Sequence, residues 1–443
     1  MDAFLPQFGN FFLTIAAFVV ALSVIVFVHE FGHYLVGRLS GIRPVVFSIG
    51  FGPVLASWVD RAGTRWQIAA IPFGGYVKFL GDADAASATS DSTTLSALDE
   101  EARRHTMEGA PLRARFLTVL AGPMFNFLFS ILVFAGLAIV SGIPENEPVI
   151  GKIYPVPGVM NELEVGDRIE TVEDRRIESI RDLYDYGHEA APRAPLVYTV
   201  VRDGRMISAR GPFPLIARIT GIQPRSAAAE AGLRIGDIIL EADGERLIAF
   251  SQLQEIVRRS EGKALDLTVW RDGRTFTVTV KPRMIELPDG KGGFERRLLV
   301  GITGGLFFDP PTLRPGPLSA LGLGAAQVWG IVTTSLNGVW HMISGAISAC
   351  NLQGPIGIAE SSADAAQQGI GAFIWFIAVL STAIGLVNLF PVPVLDGGHL
   401  VFFLWEGMTG KPPSERVMRI LMSIGFALLM TLMGFALFND LFC

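Results

Sequence analysis

Four long apolar stretches constrain the fold of this chain more than any other feature of its sequence. They cover approximately residues 11–37, 116–140, 373–395 and 420–438. Each is close to the roughly 20 residues that a helix needs to cross the hydrocarbon core of a bilayer. Half of the 443 residues are hydrophobic and only 18% are charged, fewer than in a typical soluble domain. The sequence therefore predicts a polytopic α-helical membrane protein with four transmembrane helices.

Basic residues predict the orientation of these helices, because cytoplasmic loops carry an excess of Lys and Arg. The loop between the third and fourth stretches contains Lys411, Arg416 and Arg419, and the segments before Phe11 and after Phe438 contain no basic residue. The loop between the first and second stretches is also rich in them: Arg38, Arg43, Arg61, Arg65, Lys78, Arg103, Arg104, Arg113 and Arg115. Both loops are predicted to be cytoplasmic. Both termini and the long region between the second and third stretches are then outside.

That long region contains a sequence repeat. The segment Val165–Ile169 matches Ile235–Ile239 at an offset of 70, and Val201–Arg205 matches Trp270–Arg274 at an offset of 69. Two anchors at nearly the same offset indicate two copies of one structural unit.

Each copy is predicted to be a small α/β domain. In the second copy the β-rich runs 267–270 and 275–280 flank an Asp-Gly turn, which predicts a hairpin, and a helical stretch at 251–259 precedes it. The pattern from Ala229 to Asp237 resembles the bacterial protease-associated PDZ domain. The first copy has Glu162 in the position of Gly232 and resembles that domain less closely.

A charge-free segment follows the repeat. From Gly316 to Ala359 there is no Asp, Glu, Lys or Arg, although Gly, Ser, Thr and Asn are scattered through it. It is either a fifth span or a helix on the membrane surface. A single crossing would reverse every later span and place the basic loop at 411–419 outside, against the positive-inside rule. We therefore predict that Leu318–Ser348 does not cross the membrane.

The first apolar stretch contains the motif His29-Glu30-Phe31-Gly32-His33. Residues i and i+4 share one face of a helix, so both imidazoles can reach the same metal ion. Zinc accepts nitrogen and oxygen ligands, and the Glu that follows the first ligand can act as a general base. The motif also occurs by chance in soluble helices. Inside an apolar span, however, these three side chains are costly to bury unless they are paired or ligated.

A third metal ligand is predicted in the third apolar stretch. Asp396, at the end of this stretch, is the only charged residue between Gly371 and Glu406, and Pro391 and Pro393 precede it. Prolines break a helix, and irregular backbone at membrane depth is tolerated only where it lines a cavity or is buried in protein. The alternatives are that Asp396 lies in an interfacial turn before Gly397-Gly398, or that His399, nearer the aqueous end, is the ligand.

The pairing of HEFGH in the first span with NLFPVPVLDGG in the third resembles the signature of the site-2 proteases, in particular the bacterial RseP type. That type has one span, a cytoplasmic loop, a second span, tandem PDZ domains and two further spans. The resemblance covers nearly the whole chain except Asp82–Glu108, which is expected to be a loose cytoplasmic loop. Further segments similar to the family are Ser48–Pro53, Ile71–Lys78, Ala121–Asn126, Gly354–Ala359 and Phe435–Asp440.

The resemblance implies that His29, His33 and Asp396 bind Zn²⁺, with water as the fourth ligand, and that Glu30 activates this water. It implies substrate-binding roles for two further groups of residues. An extended substrate strand would add to the edge of a hairpin at Gly74 and Gly75. Asn388, in the segment broken by Pro391 and Pro393, would hold that strand or the oxyanion.

The implied activity is regulated intramembrane proteolysis in the bacterial inner membrane. The implied substrates are single-span membrane proteins of the anti-sigma-factor type, cleaved in their transmembrane segment after a first trimming cut, and leftover signal peptides. The termini and both PDZ-like domains would be periplasmic. A net charge of −6 without a basic run argues against nucleic-acid binding.

Two other classes of function remain open at this point, a non-catalytic scaffold that binds peptides through its PDZ pair and a metal transporter. A scaffold would not need Glu30, and a transporter would be expected to carry ligands in more than two spans. The predicted segments are the first transmembrane helix at 1–37, a loop with membrane-associated β elements at 38–115, the second transmembrane helix at 116–140, PDZ-like domains at 144–213 and 214–285, a linker with an interfacial helix at 286–370, and the last two transmembrane helices at 371–396 and 416–438.

Overall fold

The computed structural model describes residues 5–82, 97–223, 225–288, 294–348, 350 and 352–442. Residues 83–96 of the loose loop predicted at 82–108 therefore lie outside the described residues. The helices are α1 (Leu5–Leu39), α2 (Glu100–Arg103), α3 (Leu112–Ser141), α4 (Ile180–Glu189), α5 (Ala227–Glu230), α6 (Phe250–Arg259), α7 (Pro317–Ile343), α8 (Pro355–Gln367), α9 (Ile370–Asn388), α10 (Asp396–Thr409) and α11 (Glu415–Phe442).

The strands are short except for the first two. They are β1 (Pro44–Val59), β2 (Arg65–Phe79), β3 (Ile143–Pro144), β4 (Lys152–Ile153), β5 (Arg168–Val172), β6 (Arg175–Arg176), β7 (Leu196–Arg202), β8 (Arg205–Gly211), β9 (Leu215–Ile222), β10 (Ile238–Ala242), β11 (Glu245–Arg246), β12 (Leu265–Arg271), β13 (Arg274–Val280), β14 (Arg283–Pro288), β15 (Phe294–Leu299), β16 (Ile302–Leu306), β17 (Phe308–Asp309) and β18 (Thr312–Leu313). The chain divides into two compact units. One contains the long apolar helices with β1 and β2, and the other contains β3 to β18.

Four helices in the described residues are long and apolar enough to cross a membrane, which confirms the predicted number. They cover Phe11–Leu39, Leu112–Ser141, Ile370–Asn388 and Arg416–Phe442. Large apolar side chains such as Leu132 and Phe426 are more than half exposed on their outer faces. Helices that are apolar on all sides are typical of membrane spans, where lipid covers such faces.

Polar side chains connect these helices where they pack. The hydroxyl of Ser130 on α3 donates to the backbone oxygen of Ala378 on α9 at 2.8 Å, and Ser381 donates to the backbone oxygen of Asn126 at 3.2 Å. Small residues allow the close approach: a Cβ on Gly385 would lie 3.1 Å from the Cβ of Asn126. Small and hydroxyl-bearing residues are the usual contacts between helices in a membrane. They fix α3 against α9.

The third span differs from the continuous segment predicted at 371–396. Helix α9 ends at Asn388, and α10 begins at Asp396. The intervening residues turn tightly: a Cβ on Gly397 would lie 2.3 Å from two backbone oxygens, and one on Gly398 would lie 2.3 Å from the Val392 oxygen. The two prolines explain the break, because each removes a backbone donor and restricts the residue before it.

The charge-free segment forms two helices, α7 and α8. Helix α7 is not among the four strongly apolar helices in the described residues. It packs on α3, where a Cβ on Gly324 would lie 2.4 Å from the Ile131 oxygen. Helix α8 begins after Gly354, whose backbone N–H donates to Asp440 near the end of α11 at 2.9 Å. Cys350, which lies between α7 and α8, is disulfide-bonded.

Strands β1 and β2 form a curled antiparallel pair behind α1. Phe47 in the first half of β1 pairs with both Val77 and Trp66, so this half lies between the two ends of β2. The rings of Phe47 and Trp66 stack with their centroids 4.3 Å apart. Residues 65–68 and 75–79 of β2 run in opposite directions along residues 46–49 of β1, so the chain reverses between Ile68 and Gly75, next to the predicted hairpin at Gly74 and Gly75. Asp60 holds the turn between β1 and β2, where it accepts the backbone N–H groups of Ala62 and Thr64.

The second unit contains the repeat as two equivalent sets of elements. The first set is β5, β6, α4, β7 and β8, and the second is β10, β11, α6, β12 and β13. Their sheets have the orders β6-β5-β7-β8 and β13-β12-β10-β9-β16, with β11 pairing β10. The starting residues of equivalent strands differ by 70 or 69, as the sequence anchors do.

Equivalent ion pairs form at the same structural position in both copies of the repeat. Arg202 donates to Asp167 at 2.7 and 2.8 Å and to the backbone oxygen of Glu162 at 3.0 Å. Arg271 donates to Asp237 at 2.6 and 2.7 Å and to the backbone oxygen of Gly232 at 3.0 Å. Glu162 and Gly232 are therefore structurally equivalent, as the alignment of the two copies predicted. Gly232 has φ +71, a conformation that favours glycine.

Candidate active site

Helix α1 brings the two histidines of the HExxH motif together, one turn apart. Their Nε2 atoms are 3.2 Å apart. The Oδ2 atom of Asp396, the first residue of α10, lies 3.1 Å from Nε2 of His29 and 3.5 Å from Nε2 of His33. The three residues form a group in which one ligand atom from each lies within 4.8 Å of the others. The structure therefore brings together the three residues that the sequence predicted as metal ligands.

These distances fit a zinc ion. Ligand atoms at about 2.0–2.1 Å from a tetrahedral zinc lie roughly 3.3 Å from one another. The observed separations of 3.1, 3.2 and 3.5 Å lie close to that value. Oδ2 of Asp396 is buried and makes no hydrogen bond with the described residues. A buried carboxylate oxygen without a hydrogen bond is costly unless a cation satisfies it, so the donor set suits a metal.

Helix α3 makes room for the imidazoles. A Cβ on Gly122 would lie 2.3 Å from Nε2 of His33 and 2.8 Å from Cε1 of His29. A Cβ on Gly32 would lie 2.6 Å from the Ala121 oxygen, so α1 and α3 touch through backbone at this level. Nδ1 of His33 donates to the backbone oxygen of Thr118 at 2.9 Å.

A cavity of about 430 Å³ opens beside this group. Glu30, Asn388 and Gly75 line it together with the three candidate ligands. His399, the rival ligand, also lines the cavity but is not part of the converging trio. Gly74, Pro391 and Pro393 do not line it. Gly74 has φ +122 and bends β2 next to Gly75, whereas Pro393 packs near Gly425.

One edge of β2 forms a wall of the cavity next to Glu30. Gly75, Tyr76, Val77 and Phe79 line the cavity along this wall. The backbone N–H of Val77 donates to the Glu30 carboxylate. A Cβ on Gly75 would lie 2.7 Å from the Ser48 oxygen and 3.3 Å from Cγ of Glu30. Glycine is therefore required for the strand to pass this close to the carboxylate.

Sequence reasoning missed several residues at this site. Gly122 and Asn126 lie on α3 behind the histidines, and Arg115, also on α3, lines the cavity. Arg115 binds the Glu406 carboxylate of α10 through both terminal nitrogens at 2.5 and 3.1 Å. The segment Ala121–Asn126 resembles a family motif, but the sequence alone predicts no contact for it. The i, i+4 spacing of Gly122 and Asn126 is the one signal that pointed to a shared face.

Comparison with known proteins agrees with this geometry. Residues 17–432 match the model of Peptidase family M50. The chain is 36% identical over 436 residues to "Putative zinc metalloprotease Atu1380" of Agrobacterium fabrum, which covers 97% of this chain and 96% of that protein. It is 34% identical over 465 residues to "Regulator of sigma E protease" of Salmonella typhi, which covers 96% of this chain and 98% of that protein. A similar relative from Rhizobium meliloti, "Putative zinc metalloprotease R01501", is 36% identical over 435 residues.

The family match spans most of the chain, and the relatives are similar over nearly their full length. Their names include zinc metalloprotease and regulator of sigma E protease. The His-His-Asp group is compatible with the zinc that those names require. The chain therefore belongs to Peptidase family M50, the site-2 proteases, and is a zinc metalloendopeptidase with membrane-spanning helices.

Proposed function

We propose that this protease cleaves single-span membrane proteins within their transmembrane segment, after another protease has trimmed their outer domain. The observation that carries the proposal is the location of the site. The candidate ligands and Glu30 lie on helices apolar enough to span a membrane, or at the break that follows one. A hydrolytic site there acts on substrates that reach it through the bilayer.

We assign zinc ligation to Nε2 of His29, Nε2 of His33 and Oδ2 of Asp396. Bound there, zinc supplies a water of lowered pKa and polarises the scissile carbonyl. Glu30 lies beside the ligands without belonging to the converging trio, so its role is that of the base. Its carboxylate takes a proton from the attacking water and passes it to the leaving amine.

The substrate binds as an extended strand along β2. A helical substrate hides its carbonyl groups in hydrogen bonds from i to i−4, so it must unwind before hydrolysis. The Gly75 to Phe79 segment pairs with β1 on one side and lines the cavity on the other. An unwound segment can add to such an edge through main-chain hydrogen bonds.

Asn388 is placed to hold the other side of the substrate. It ends α9 and lines the cavity, and its amide makes no hydrogen bond with the described residues. It therefore offers a donor for the substrate strand or the oxyanion. Pro391 and Pro393 act indirectly, by ending the helix so that Asn388 and Asp396 face one cavity.

The substrate class is the anti-sigma-factor type, with leftover signal peptides as a second group. A relative is named regulator of sigma E protease, and a single-span anti-sigma factor is a substrate whose cleavage regulates a sigma factor. The protein would act in the bacterial inner membrane, with its termini and its two PDZ-like domains in the periplasm. The PDZ-like domains filter substrates by size.

Co-expression with a single-span anti-sigma protein that lacks its outer domain tests this function. The wild-type protein should convert it to a shorter fragment, and Glu30→Gln should leave it intact. The same substrate with its outer domain present should be cut slowly by the wild-type protein and not at all by Glu30→Gln. Equal cleavage by wild type and Glu30→Gln would contradict the proposal.

A further inference from the structure

Helix α3 presents a buried amide to the first histidine of the site. Asn126 is fully buried, and its amide nitrogen lies 3.3 Å from Nδ1 of His29. Gly122 lies one turn earlier on the same face and leaves space for both imidazoles. The face of α3 that packs against the proposed zinc ligands thus carries a polar side chain whose amide lies next to Nδ1 of His29.

The ring nitrogen through which a histidine binds zinc determines which hydrogen-bond partner its other ring nitrogen requires. Nε2 of His29 faces Oδ2 of Asp396 and Nε2 of His33, at 3.1 and 3.2 Å. An imidazole that binds zinc through Nε2 carries its proton on Nδ1, so the group behind Nδ1 must accept a hydrogen bond. His33 meets this requirement, because its Nδ1 donates to the Thr118 backbone oxygen, which can only accept.

For His29 the corresponding acceptor must come from Asn126. The two ends of a side-chain amide exchange places by a half turn about the Cβ–Cγ bond. With Nδ2 toward His29, Oδ1 is buried and has no partner among the described residues. With Oδ1 toward His29, that oxygen accepts the Nδ1 proton. Either orientation leaves one atom of the amide without a hydrogen bond. The position of the proton on the His29 imidazole therefore determines which orientation is favoured.

We propose that Asn126 is a positioning residue that accepts the Nδ1 proton of His29 and thereby holds its Nε2 lone pair toward zinc. This inference rests on the proposed ligation of zinc by His29. The role belongs to the side chain alone, because the bonds from Ser130 and Ser381 reach the backbone oxygen of Asn126 and do not need its amide.

Zinc affinity of the purified full-length protein tests the inference without any measurement of cleavage. Asn126→Leu keeps the volume and removes the acceptor, so zinc affinity should fall about 10- to 100-fold, as for other groups behind metal ligands. Asn126→Asp keeps an acceptor at the same place and should bind zinc within a few-fold of wild type. The visible spectrum of the Co²⁺-substituted protein should change in Asn126→Leu, because the His29 ring is no longer held.

Ser130→Ala is the matched control, since it removes a buried interhelical hydrogen bond one turn further along α3. It should lower the unfolding temperature without changing zinc affinity. The inference is wrong if Asn126→Leu binds zinc within two-fold of wild type, or if Asn126→Asp loses as much affinity as Asn126→Leu. His29→Ala separates the two proposals. If it keeps wild-type zinc affinity, the ligand assignment fails, whereas loss of zinc there with retention in Asn126→Leu defeats this inference alone.

Discussion

Glycine at position 122 limits the space available to the imidazoles of the proposed zinc site. A Cβ there would lie 2.3 Å from Nε2 of His33, a separation that real Cβ atoms do not show. We therefore expect Gly122→Ala to displace the imidazoles and to lower cleavage at least about 100-fold, the usual effect of a 1 Å error at a catalytic group. Zinc content and cleavage of the purified variant are the measurements.

The same helix offers a control for this substitution. Gly136 is also in α3, and a Cβ there would meet nothing within 4 Å. Gly136→Ala should keep full activity and gain a little stability, because Ala favours a helix by up to about 1 kcal/mol. Full activity in Gly122→Ala would show that α3 moves aside and that the glycine has no role in the site.

At the scale of residues, the sequence was sufficient to identify as candidates those side chains that form a recognisable chemical pattern. His29, Glu30 and His33 follow from their spacing on one helix, and Asp396 follows from being a lone charge in an apolar stretch. Gly122 and Asn126 could not be predicted in the same way. Their importance comes from the distance to another helix, and no local pattern of α3 encodes which neighbour it meets.

The turn between β1 and β2 depends on the charge of one carboxylate. Asp60 accepts hydrogen bonds from Tyr34 at 3.0 Å, from Trp66 at 3.1 Å and from two backbone N–H groups. Burial raises the pKa of Asp60, but these hydrogen bonds outweigh it and hold the pKa below its ordinary value. Because the folded-state pKa is lowered, the stabilisation is complete above the unfolded pKa of about 3.9 and is lost as the pH falls through the folded value.

We therefore expect Asp60→Asn to lower the thermal unfolding midpoint at pH 7. The difference from wild type should remain constant down to about pH 5 and shrink as the pH falls further, below the unfolded pKa. Unfolding of both proteins in detergent across this range is the measurement. The exposed Glu101 provides a control, and Glu101→Gln should leave the midpoint unchanged. A difference that does not depend on pH would argue against a role for the charge.

At the scale of elements, apolar length predicted the four spans, but not their ends. The prolines at 391 and 393 indicate a break, yet the predicted third span continues to residue 396, whereas α9 ends at Asn388. Gly397 and Gly398 come close to the backbone of the loop that follows this end.

At the scale of the whole molecule, the proposed site residues and the repeated domains occupy different parts of the sequence. All proposed site residues lie outside residues 144–315. Strands β3 and β18 pair through Pro144 and Thr312, so the two ends of this block are adjacent and a short Gly-Ser linker can replace residues 145–311. We expect this deletion to retain cleavage and to relax the need for prior trimming. Loss of cleavage in a protein that still inserts would show that the domains deliver the substrate.

The second prediction at this scale is that Leu318–Ser348 does not cross the membrane. The N–H groups of Gly354, Ile356 and Gly357 all donate to Asp440, at the end of α11 opposite the basic residues predicted to be cytoplasmic. This contact favours a position of Gly354 on the outer side. The disulfide bond of Cys350 favours the same side, because disulfides persist in oxidising compartments.

Single-cysteine labelling measures this topology. Ser319 and Gln353 are both exposed, and each can be changed to Cys in a background without Cys350 and Cys443. An impermeant thiol reagent added from the outer side should label both. If only the variant at 319 is labelled from outside and the one at 353 from the cytoplasm, the segment crosses. Asp396 would then be predicted at the opposite face from His29.

The order of parts in the whole chain was predictable because each part carries its own pattern. Apolar length marks the spans, basic residues mark the loops, and the 70-residue offset marks the repeat. The packing of α7 on α3 was not predictable in this way. A segment without charges and of only moderate hydrophobicity is compatible with several positions in the fold. Gly324 favours one of them through its close contact with α3, and this contact is not visible in the sequence.

The most direct test of the account compares zinc content and cleavage in purified Glu30→Gln. We propose that His29, His33 and Asp396 hold the metal, whereas Glu30 only moves the proton of the attacking water. Glu30→Gln should therefore contain zinc at the wild-type ratio and leave a trimmed single-span substrate uncut, and Asp396→Ala should lose both zinc and cleavage. Loss of zinc from Glu30→Gln, or cleavage by it at the wild-type rate, would contradict the assignment of Glu30 as the base.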